Sequence, residues 1–292
     1  MVPHFMARPL LIPALERLGK VALGRRGVVS KDVDTPLGRV HTYEVKGRGE
    51  LAQTCILHGY GSAATAFGPL ILRLARHSRG VIAPELPGHG FCEIPGARLD
   101  TEGLFAAMRH ALDELLPEPS IVLGNSLGGA VALRYAIERP ERVKALVLVS
   151  PAGAPMEDSE LAALKAGFDF ATRRDAHGFL QRIYERPPWF LPLIAGDLRK
   201  HFRQRHLRDF MESAEAAHAI GAEQVSGLKM PILFVWGKSE RILPPSGLAF
   251  FKRALPAHAR VVEPEGFAHC PHIDDPGRLT DLVVEFLSAE LP

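Results

Sequence analysis

Short apolar runs rich in valine, isoleucine and leucine recur along this chain, separated by longer stretches of helical periodicity. The runs that predict strands are Val28–Val33, Val40–Val45, Ala52–Leu57, Val81–Pro84, Ile121–Gly124, Ala145–Ser150, Ile232–Trp236 and Arg260–Glu263. The stretches that predict helices are Glu102–Leu115, Leu127–Arg139 and Gly277–Ala289, the last with Asp275 as its cap. Strands that alternate with helices favour a mostly parallel sheet covered on both faces, so we predict an α/β fold.

The composition is that of a globular protein. Of the 292 residues, 47% are hydrophobic and 23% are charged, and the formal net charge is +2. So small a net charge argues against electrostatic binding of nucleic acid. Cys55, Cys92 and Cys270 are odd in number and far apart, so no disulfide framework is expected. No transmembrane span and no signal peptide are recognisable, and the expected compartment is the cytoplasm.

A strand-to-helix turn carries the strongest local motif. The pentapeptide centred on Ser126 has glycine at positions 124 and 128, and it lies between the predicted strand Ile121–Gly124 and the predicted helix Leu127–Arg139. In such a turn the serine takes a strained backbone conformation, and the glycines relieve crowding. The Ser126 hydroxyl would then lie at a helix N-terminus, whose dipole favours developing negative charge. Ser126 is therefore the predicted nucleophile, and a glycine-rich packing turn is the alternative.

A second glycine-containing loop, His58-Gly59-Tyr60-Gly61, follows the predicted strand Ala52–Leu57. Two glycines let the backbone approach a ligand closely, and a free N–H in such a loop can bind an oxyanion. His58 has two interpretations, as a catalytic base or as a residue that orders the loop by hydrogen bonding. We favour the second.

Two further candidates follow the last two predicted strands. Glu240 comes after Ile232–Trp236, and His269 comes after Arg260–Glu263. A serine hydroxyl is a weak nucleophile until an imidazole takes its proton, and that imidazole needs a carboxylate to orient it. The order Ser126, Glu240, His269 is the one expected when all three lie on loops at the carboxyl edge of an α/β sheet.

Together these motifs resemble the α/β-hydrolase family in its lidded, esterase-like form, over residues 28–290. The resemblance implies the α/β-hydrolase fold, with a helical lid inserted between two strands. It implies that the backbone N–H groups of Tyr60 and Leu127 form the oxyanion hole. It also implies that His89, in the family's Pro-Gly-His-Gly turn, is structural. The implied chemistry requires neither a cofactor nor a metal.

The chain departs from the family pattern at two positions. The acid is usually aspartate, and Glu240 moves the carboxylate by about 1.5 Å. No acidic residue follows the preceding strand before Glu157, so Glu240 stays the predicted acid, with a surface ion pair as the alternative. Ala268 stands where the family often has glycine. His269 still fits the role of base better than His272, which we expect to be structural.

The neighbouring residues His269, Cys270 and His272 suggest a metal site only weakly, because no ligand set with zinc-like spacing completes it. We expect Cys270 to be a small buried hydrophobic residue, with a redox-sensitive thiol as the alternative.

The predicted function is cleavage of a carboxylic ester or thioester through an acyl-enzyme on Ser126, with His269 as base and Glu240 as the orienting acid. One alternative is a carbon–carbon bond hydrolase of the meta-cleavage-product type, to which residues 124–129 are similar. The chain lacks that group's proline-glycine extension and has Cys270 where the group has tryptophan. Another alternative is a non-hydrolytic receptor on the same fold. Serine instead of aspartate at 126 argues against dehalogenase and epoxide hydrolase chemistry.

The predicted organisation has three parts: an N-terminal helical extension (1–27), a core (28–150 and 230–292) and a helical lid insertion (151–229). In the extension, Leu11, Leu15 and Leu18 recur at helical spacing, which suits a helix lying on its own domain or on a lipid surface. The lid is locally basic and is predicted either to contact an anionic substrate, a carrier protein or a lipid surface, or to be a solvated face. The cations behind this prediction are the pair Arg173 and Arg174 and the cluster Arg199, Lys200, Arg203, Arg205 and Arg208. The expected partner is a small acyl substrate.

Overall fold

The computed structural model describes residues 8–92, 98–189 and 191–291. Its centre is an eight-stranded sheet in the order β1-β2-β4-β3-β5-β6-β7-β8. The strands are β1 (Val29–Thr35), β2 (Gly38–Lys46), β3 (Thr54–Leu57), β4 (Gly80–Pro84), β5 (Ser120–Ser126), β6 (Val143–Pro151), β7 (Ile232–Val235) and β8 (Arg260–Val262). Strand β2 pairs antiparallel with β1 and β4, and the remaining pairs are parallel. The predicted α/β class is confirmed.

The α-helices of the described residues alternate with these strands. They are α1 (Leu11–Gly24), α2 (Gly68–Leu74), α3 (Thr101–Leu115), α4 (Leu127–Glu138), α5 (Asp158–Ala166), α6 (Arg173–Ile183), α7 (Leu191–Phe202), α8 (Arg205–Ser213), α9 (Ala222–Ser226), α10 (Pro245–Ala254), α11 (Pro271–Asp274) and α12 (Pro276–Glu290). The predicted cap of α12 is confirmed, since the Asp275 carboxylate accepts the N–H of Arg278 at 2.9 Å.

Helices cover both faces of the sheet. Helices α1, α2 and α12 pack over one buried cluster, to which Leu23 and Ile121 belong. Helices α3, α4 and α10 pack over the other, to which Val122 and Phe251 belong. Neighbouring residues of β5 enter opposite clusters because side chains alternate across a strand. A strand buried on both faces reads as a continuous apolar run, which is why these strands are recognisable in the sequence.

Helices α5 to α9 lie between β6 and β7, and we call residues 152–231 the insertion. Its helices enclose an apolar cluster of their own, which includes Phe170, Phe179, Leu198 and Phe202. Tyr60 from the core packs against this cluster. The insertion therefore covers the carboxyl edge of the sheet, where the loops of the core end.

Only part of the apolar surface of helix α1 faces the core. Its Leu23 is buried against the core, but the predicted stripe of Leu11, Leu15 and Leu18 is exposed. The start of the helix is tied to the insertion, because the carboxylate of Asp197 accepts the N–H groups of Leu10 and Ile12, both at 2.8 Å. Residues 1–7 of the predicted extension lie outside the described residues. Among the helices described, none has the length and apolar character needed to cross a membrane.

Candidate active site

Ser126 lies at the junction of β5 and α4. Its backbone has φ 55° and ψ −119°, a conformation that is strained for a residue with a side chain. Glycine is required on both sides. A Cβ on Gly124 would overlap the carbonyl oxygen of Gly128, and a Cβ on Gly128 would overlap that of Leu57. The sharp turn predicted from the sequence is therefore present, and it places Ser126 on the wall of the cavities described below.

His269 and Glu240 meet on the loops that follow β8 and β7. The Nδ1 atom of His269 lies 2.7 Å from Oε2 of Glu240. Both side chains are nearly inaccessible, at 5% and 2% exposure. His269 lines the same cavity as Ser126. The structure thus brings the three predicted residues to one edge of the sheet, with the carboxylate of Glu240 holding the imidazole of His269.

The other oxygen of Glu240 is held by its own loop. Oε1 accepts the N–H of Ile242 at 2.7 Å and that of Leu243 at 3.1 Å. Burial alone would raise the pKa of Glu240, but the charge and the hydrogen bond of His269, together with the N–H of Ile242, lower it to about 2. The longer side chain of glutamate is accommodated because its loop folds back onto the carboxylate. Glu240 is therefore ionised at neutral pH and is not a surface ion-pair partner.

The other acids considered in the sequence do not reach this site. Glu157 is the N-cap residue of α5 and is exposed, as is Asp158, the first residue of that helix.

Asn125 is a residue of the site that the sequence did not reveal. Its side-chain amide donates to the carbonyl of Val149 at 3.1 Å and to the carbonyl of His269 at 3.0 Å. It therefore joins the turn that carries Ser126 to the loop that carries His269. The sequence shows only that a polar residue precedes the predicted nucleophile. The hydrogen-bond partners of Asn125 are far away in the chain, so the sequence does not reveal them.

The loop after β3 lies against the serine. A Cβ on Gly59 would come within 3.2 Å of the Cβ of Ser126, so the backbone here is directly beside the nucleophile. No described residue accepts the backbone N–H of Tyr60. Leu127 opens α4, so its N–H is one of the first-turn donors that have no intrahelical acceptor. Two backbone donors therefore flank Ser126.

His58 is engaged by the loops around it. Its Nδ1 lies 2.8 Å from the carbonyl oxygen of Gly59, and its Nε2 accepts the N–H of Leu86 at 2.9 Å. The fully buried Glu85 lies 3.0 Å from Nε2 and also accepts the N–H of Ala64 at 2.9 Å. These contacts fit the expected loop-ordering role of His58. Glu85 went unnoticed in the sequence, because a single acid after a strand carries no recognisable pattern.

Two more histidines are buried near the site. His89 has its Nδ1 3.0 Å from the carbonyl oxygen of Pro87, and burial lowers its pKa well below the ordinary value. His272 stacks on Phe67 with ring centroids 3.7 Å apart, and burial lowers its pKa to about 3. Both imidazoles are therefore neutral at physiological pH.

Cys270 lines the cavity but is not an activated thiol. It is buried, and burial raises its pKa well above the ordinary value for cysteine. In the described part of the chain, no three histidine, cysteine or acidic side chains are grouped so as to hold a metal ion.

Two cavities meet at Ser126. The first, of about 280 Å³, has α1 as one wall and is called the α1 cavity. The second, of about 140 Å³, is bounded by α8 and is called the α8 cavity. Tyr60, Ser126 and Phe168 line both. The walls are mainly apolar, and none of the lysines and arginines in the described residues lines either one.

Part of the basic character of the insertion is structural. Arg173 donates to the carbonyl of Pro192, and Arg199 donates to those of Phe170 and Ala171. Arg205 pairs with Asp209 at 3.4 Å. Arg203 and Arg208 instead line a hollow of about 380 Å³, whose other charged residues are Lys165, Asp169 and Glu212.

The fold and this site define an α/β hydrolase, with a serine on a strained turn and an imidazole–carboxylate pair at the same sheet edge. The profile of the alpha/beta hydrolase family matches residues 56–282, and the chain belongs to that family. It is 28% identical over 272 residues to a pimeloyl-[acyl-carrier protein] methyl ester esterase of Nitrosospira multiformis, covering 86% of this chain and 99% of the relative.

Solved structures share the fold. A bacterial membrane phospholipase A superposes with a TM-score of 0.81 at 22% identity, covering 95% of this chain and 92% of that one. The 2-hydroxy-6-oxo-6-phenylhexa-2,4-dienoate hydrolase of Rhodococcus sp. strain RHA1 superposes with a TM-score of 0.77 at 22% identity, covering 89% of this chain and 99% of that one.

Proposed function

We propose that this enzyme is a serine hydrolase that cleaves a carboxylic ester or thioester. Ser126 attacks the acyl carbonyl while His269 accepts its proton, and Glu240 orients the imidazole and stabilises its positive charge. His269 then donates that proton to the leaving group. Water, deprotonated by the same imidazole, releases the acyl group from Ser126. No cofactor takes part in these steps.

The observation that carries this proposal is the 2.7 Å contact between His269 and an ionised, buried Glu240, on the wall of the cavity that also holds Ser126. A buried carboxylate at this distance fixes the tautomer of the imidazole, so that Nε2 is left as the base. The backbone N–H groups of Tyr60 and Leu127 serve as the oxyanion hole, since both flank Ser126 and lack an internal acceptor.

The two cavities favour an ester or thioester over a carbon–carbon substrate. An ester or thioester has an apolar acyl part and a leaving group on opposite sides of the reacting carbonyl. Ser126 lies where two apolar cavities meet, so each cavity can hold one of these parts. The dienoate named for the Rhodococcus relative carries a carboxylate. No described lysine or arginine lines either cavity to pair with such a group.

The insertion supplies the lid in this proposal, matching the predicted segment 151–229 between the two parts of the core. The second part of the proposal concerns the hollow in the insertion. Arg203 and Arg208, which line it, contact an anionic carrier of the acyl group. The named acyl-carrier substrate of the Nitrosospira relative fits this role. Replacing both arginines with glutamine would then raise KM for a carrier-bound ester and leave KM for the free methyl ester unchanged.

The proposed activity is tested with a panel of p-nitrophenyl esters, acyl thioesters and dienoates, using Ser126→Ala as the control. Turnover of esters or thioesters that is lost in Ser126→Ala supports the proposal. Turnover of dienoates alone would establish the carbon–carbon alternative. Ligand-induced thermal stabilisation without any turnover would instead indicate a receptor.

A further inference from the structure

Helix α1 presents an apolar face to solvent. At 100° per residue, its exposed apolar side chains fall within an arc of about 140°. We call this set the α1 stripe: Leu10, Leu11, Ala14, Leu15, Leu18, Val21 and Ala22. Leu18, for example, is 65% exposed. A helix that packs on a core normally has the opposite arrangement, with its apolar side inward.

Two of the three charged side chains of α1 point inward instead. Glu16 lines the α1 cavity, and Lys20 has its Nζ 3.1 Å from Nε2 of His41 and 4.6 Å from the centre of the Phe91 ring. The exposed apolar surface is therefore not a by-product of a weakly packed helix. The amphipathic helix is turned so that the stripe faces away from the protein.

Cations border the α1 stripe. Arg17 flanks it, and Arg25 and Arg26 follow the end of the helix, all three exposed. Arg26 also lines a surface hollow of about 600 Å³, which we call the basic hollow. Its charged lining consists of Arg26, Lys46, Arg48, Arg73 and Arg76. None of these five forms an ion pair with a described residue, and no acidic side chain of the described chain lines the hollow.

The stripe and the basic hollow lie on the same side of the molecule. Helices α1 and α2 cover the same face of the sheet, and α2 contributes Arg73 to the hollow. The 14 residues of α1 span about 21 Å, from Asp197 of the insertion to Arg25. An apolar strip therefore leads from the α1 wall of the α1 cavity to a cluster of unpaired cations.

We propose that α1 is an interfacial helix that binds the surface of membranes containing anionic phospholipids. The α1 stripe enters the boundary of headgroups and acyl chains, and the basic hollow binds the lipid phosphates. A second copy of this chain fits less well, because two such surfaces would bring their unpaired cations together. An anionic bilayer complements both parts of the surface.

The same geometry gives an acyl chain a route to the serine. Leu15 is exposed in the stripe and also lines the α1 cavity, and Ser126 lines the same cavity. A membrane amphiphile with its acyl chain at α1 would therefore enter the cavity directly from the bilayer. This substrate class rests on the proposed function, whereas membrane binding itself does not.

Binding is measured by co-sedimentation of the Ser126→Ala protein with phosphatidylcholine vesicles, with and without phosphatidylglycerol. We expect binding to the phosphatidylglycerol vesicles and little to pure phosphatidylcholine. Leu11→Gln/Leu18→Gln should lower the partition coefficient roughly thirtyfold, because two side chains no longer insert. Arg48→Gln/Arg76→Gln should lower it roughly tenfold.

The matched control is Lys229→Gln/Arg253→Gln, which removes two exposed cations outside the stripe and the hollow. It should bind like the parent, and all variants should keep the parent's melting temperature because the replaced side chains are exposed. Equal binding to both vesicle types, or equal losses in the arginine variant and the control, would overturn the proposal. A dimer that dissociates in Leu11→Gln/Leu18→Gln, without vesicle binding by the parent, would overturn it in favour of a second copy. Because Ser126→Ala cannot form an acyl-enzyme, these results do not depend on the proposed reaction.

Discussion

The side-chain amide of Asn125 donates a hydrogen bond to the backbone carbonyl of His269, at a distance of 3.0 Å. The residue next to the proposed nucleophile therefore positions the loop of the proposed base. The same amide reaches the carbonyl of Val149, so the contact also fixes the end of β6. Asn125 therefore links the segments that carry Ser126 and His269.

Replacing Asn125 with alanine should lower kcat/KM for a p-nitrophenyl ester by roughly tenfold to a hundredfold, because the imidazole loop loses its anchor. It should also lower the free energy of unfolding by about 1–3 kcal/mol, since two buried carbonyls lose a donor. The control is Thr54→Val, which removes the buried 2.8 Å contact with the Ser78 hydroxyl at the start of β3. Thr54→Val should lose stability but keep its activity. A similar pattern in Asn125→Ala would show that Asn125 is only structural.

Replacing Glu240 with alanine should lower kcat at least about tenfold, because the imidazolium loses its charged partner. Circular dichroism checks that the variant is folded. Glu157→Ala and Asp158→Ala remove exposed acids of α5 and should leave kcat unchanged. If one of these two variants loses activity and Glu240→Ala does not, the assignment of the acid is wrong.

The activity should fall on the acid side of the pH profile with a slope of one in log kcat/KM. Protonated His269 has no lone pair to accept the proton of Ser126, so each proton bound there removes one active site. Glu240 adds no second slope, because its pKa is lowered to about 2 and it stays ionised above that pH. Initial rates across buffers of constant ionic strength give the profile. A slope of two, or a profile without an acid limb, would contradict this pairing.

Glu16 should make the folded protein less stable as the pH rises, whereas the activity should increase with pH. Burial, with the nearby Glu85, raises the pKa of Glu16 from 4.5 to about 7. The folded protein therefore binds more protons than the unfolded chain between these values, and stability decreases as pH rises through this range. Glu16→Gln should raise the free energy of unfolding by roughly 1–3 kcal/mol at pH 8, with no such gain at pH 5.

Urea unfolding at the two pH values measures the effect, and Glu50→Gln is the matched control because Glu50 is exposed. An equal gain at both pH values would mean that Glu16→Gln acts through packing and not through the charge.

The inner strands of the sheet were predictable because parallel strands buried on both faces form uninterrupted apolar runs, as in Ile121–Gly124. Helices α2 and α10 were not predicted individually. The first has only seven residues after a short 3-10 turn, and both have proline in their first turn. Both helices are too short to show a clear helical period of apolar residues in the sequence.

The candidate site was predictable where a local backbone constraint leaves a pattern in the sequence. The turn at Ser126 needs glycine on both sides, and that need is visible in five residues. The contacts of Asn125 and Glu85 are not visible, since each joins segments that only the folded sheet brings together. The outward orientation of the leucines in α1 was hidden for a similar reason. A helical period gives the existence of an apolar face but not the direction in which it points.

The central claim is that Ser126 is an activated nucleophile. It is tested most directly by incubating the folded protein with a fluorophosphonate probe and locating the label by peptide mass spectrometry. We expect one label, on Ser126, that is absent from Ser126→Ala and forms more slowly in Glu240→Ala. A folded protein that takes up no label, or that carries it on another serine, would contradict the claim.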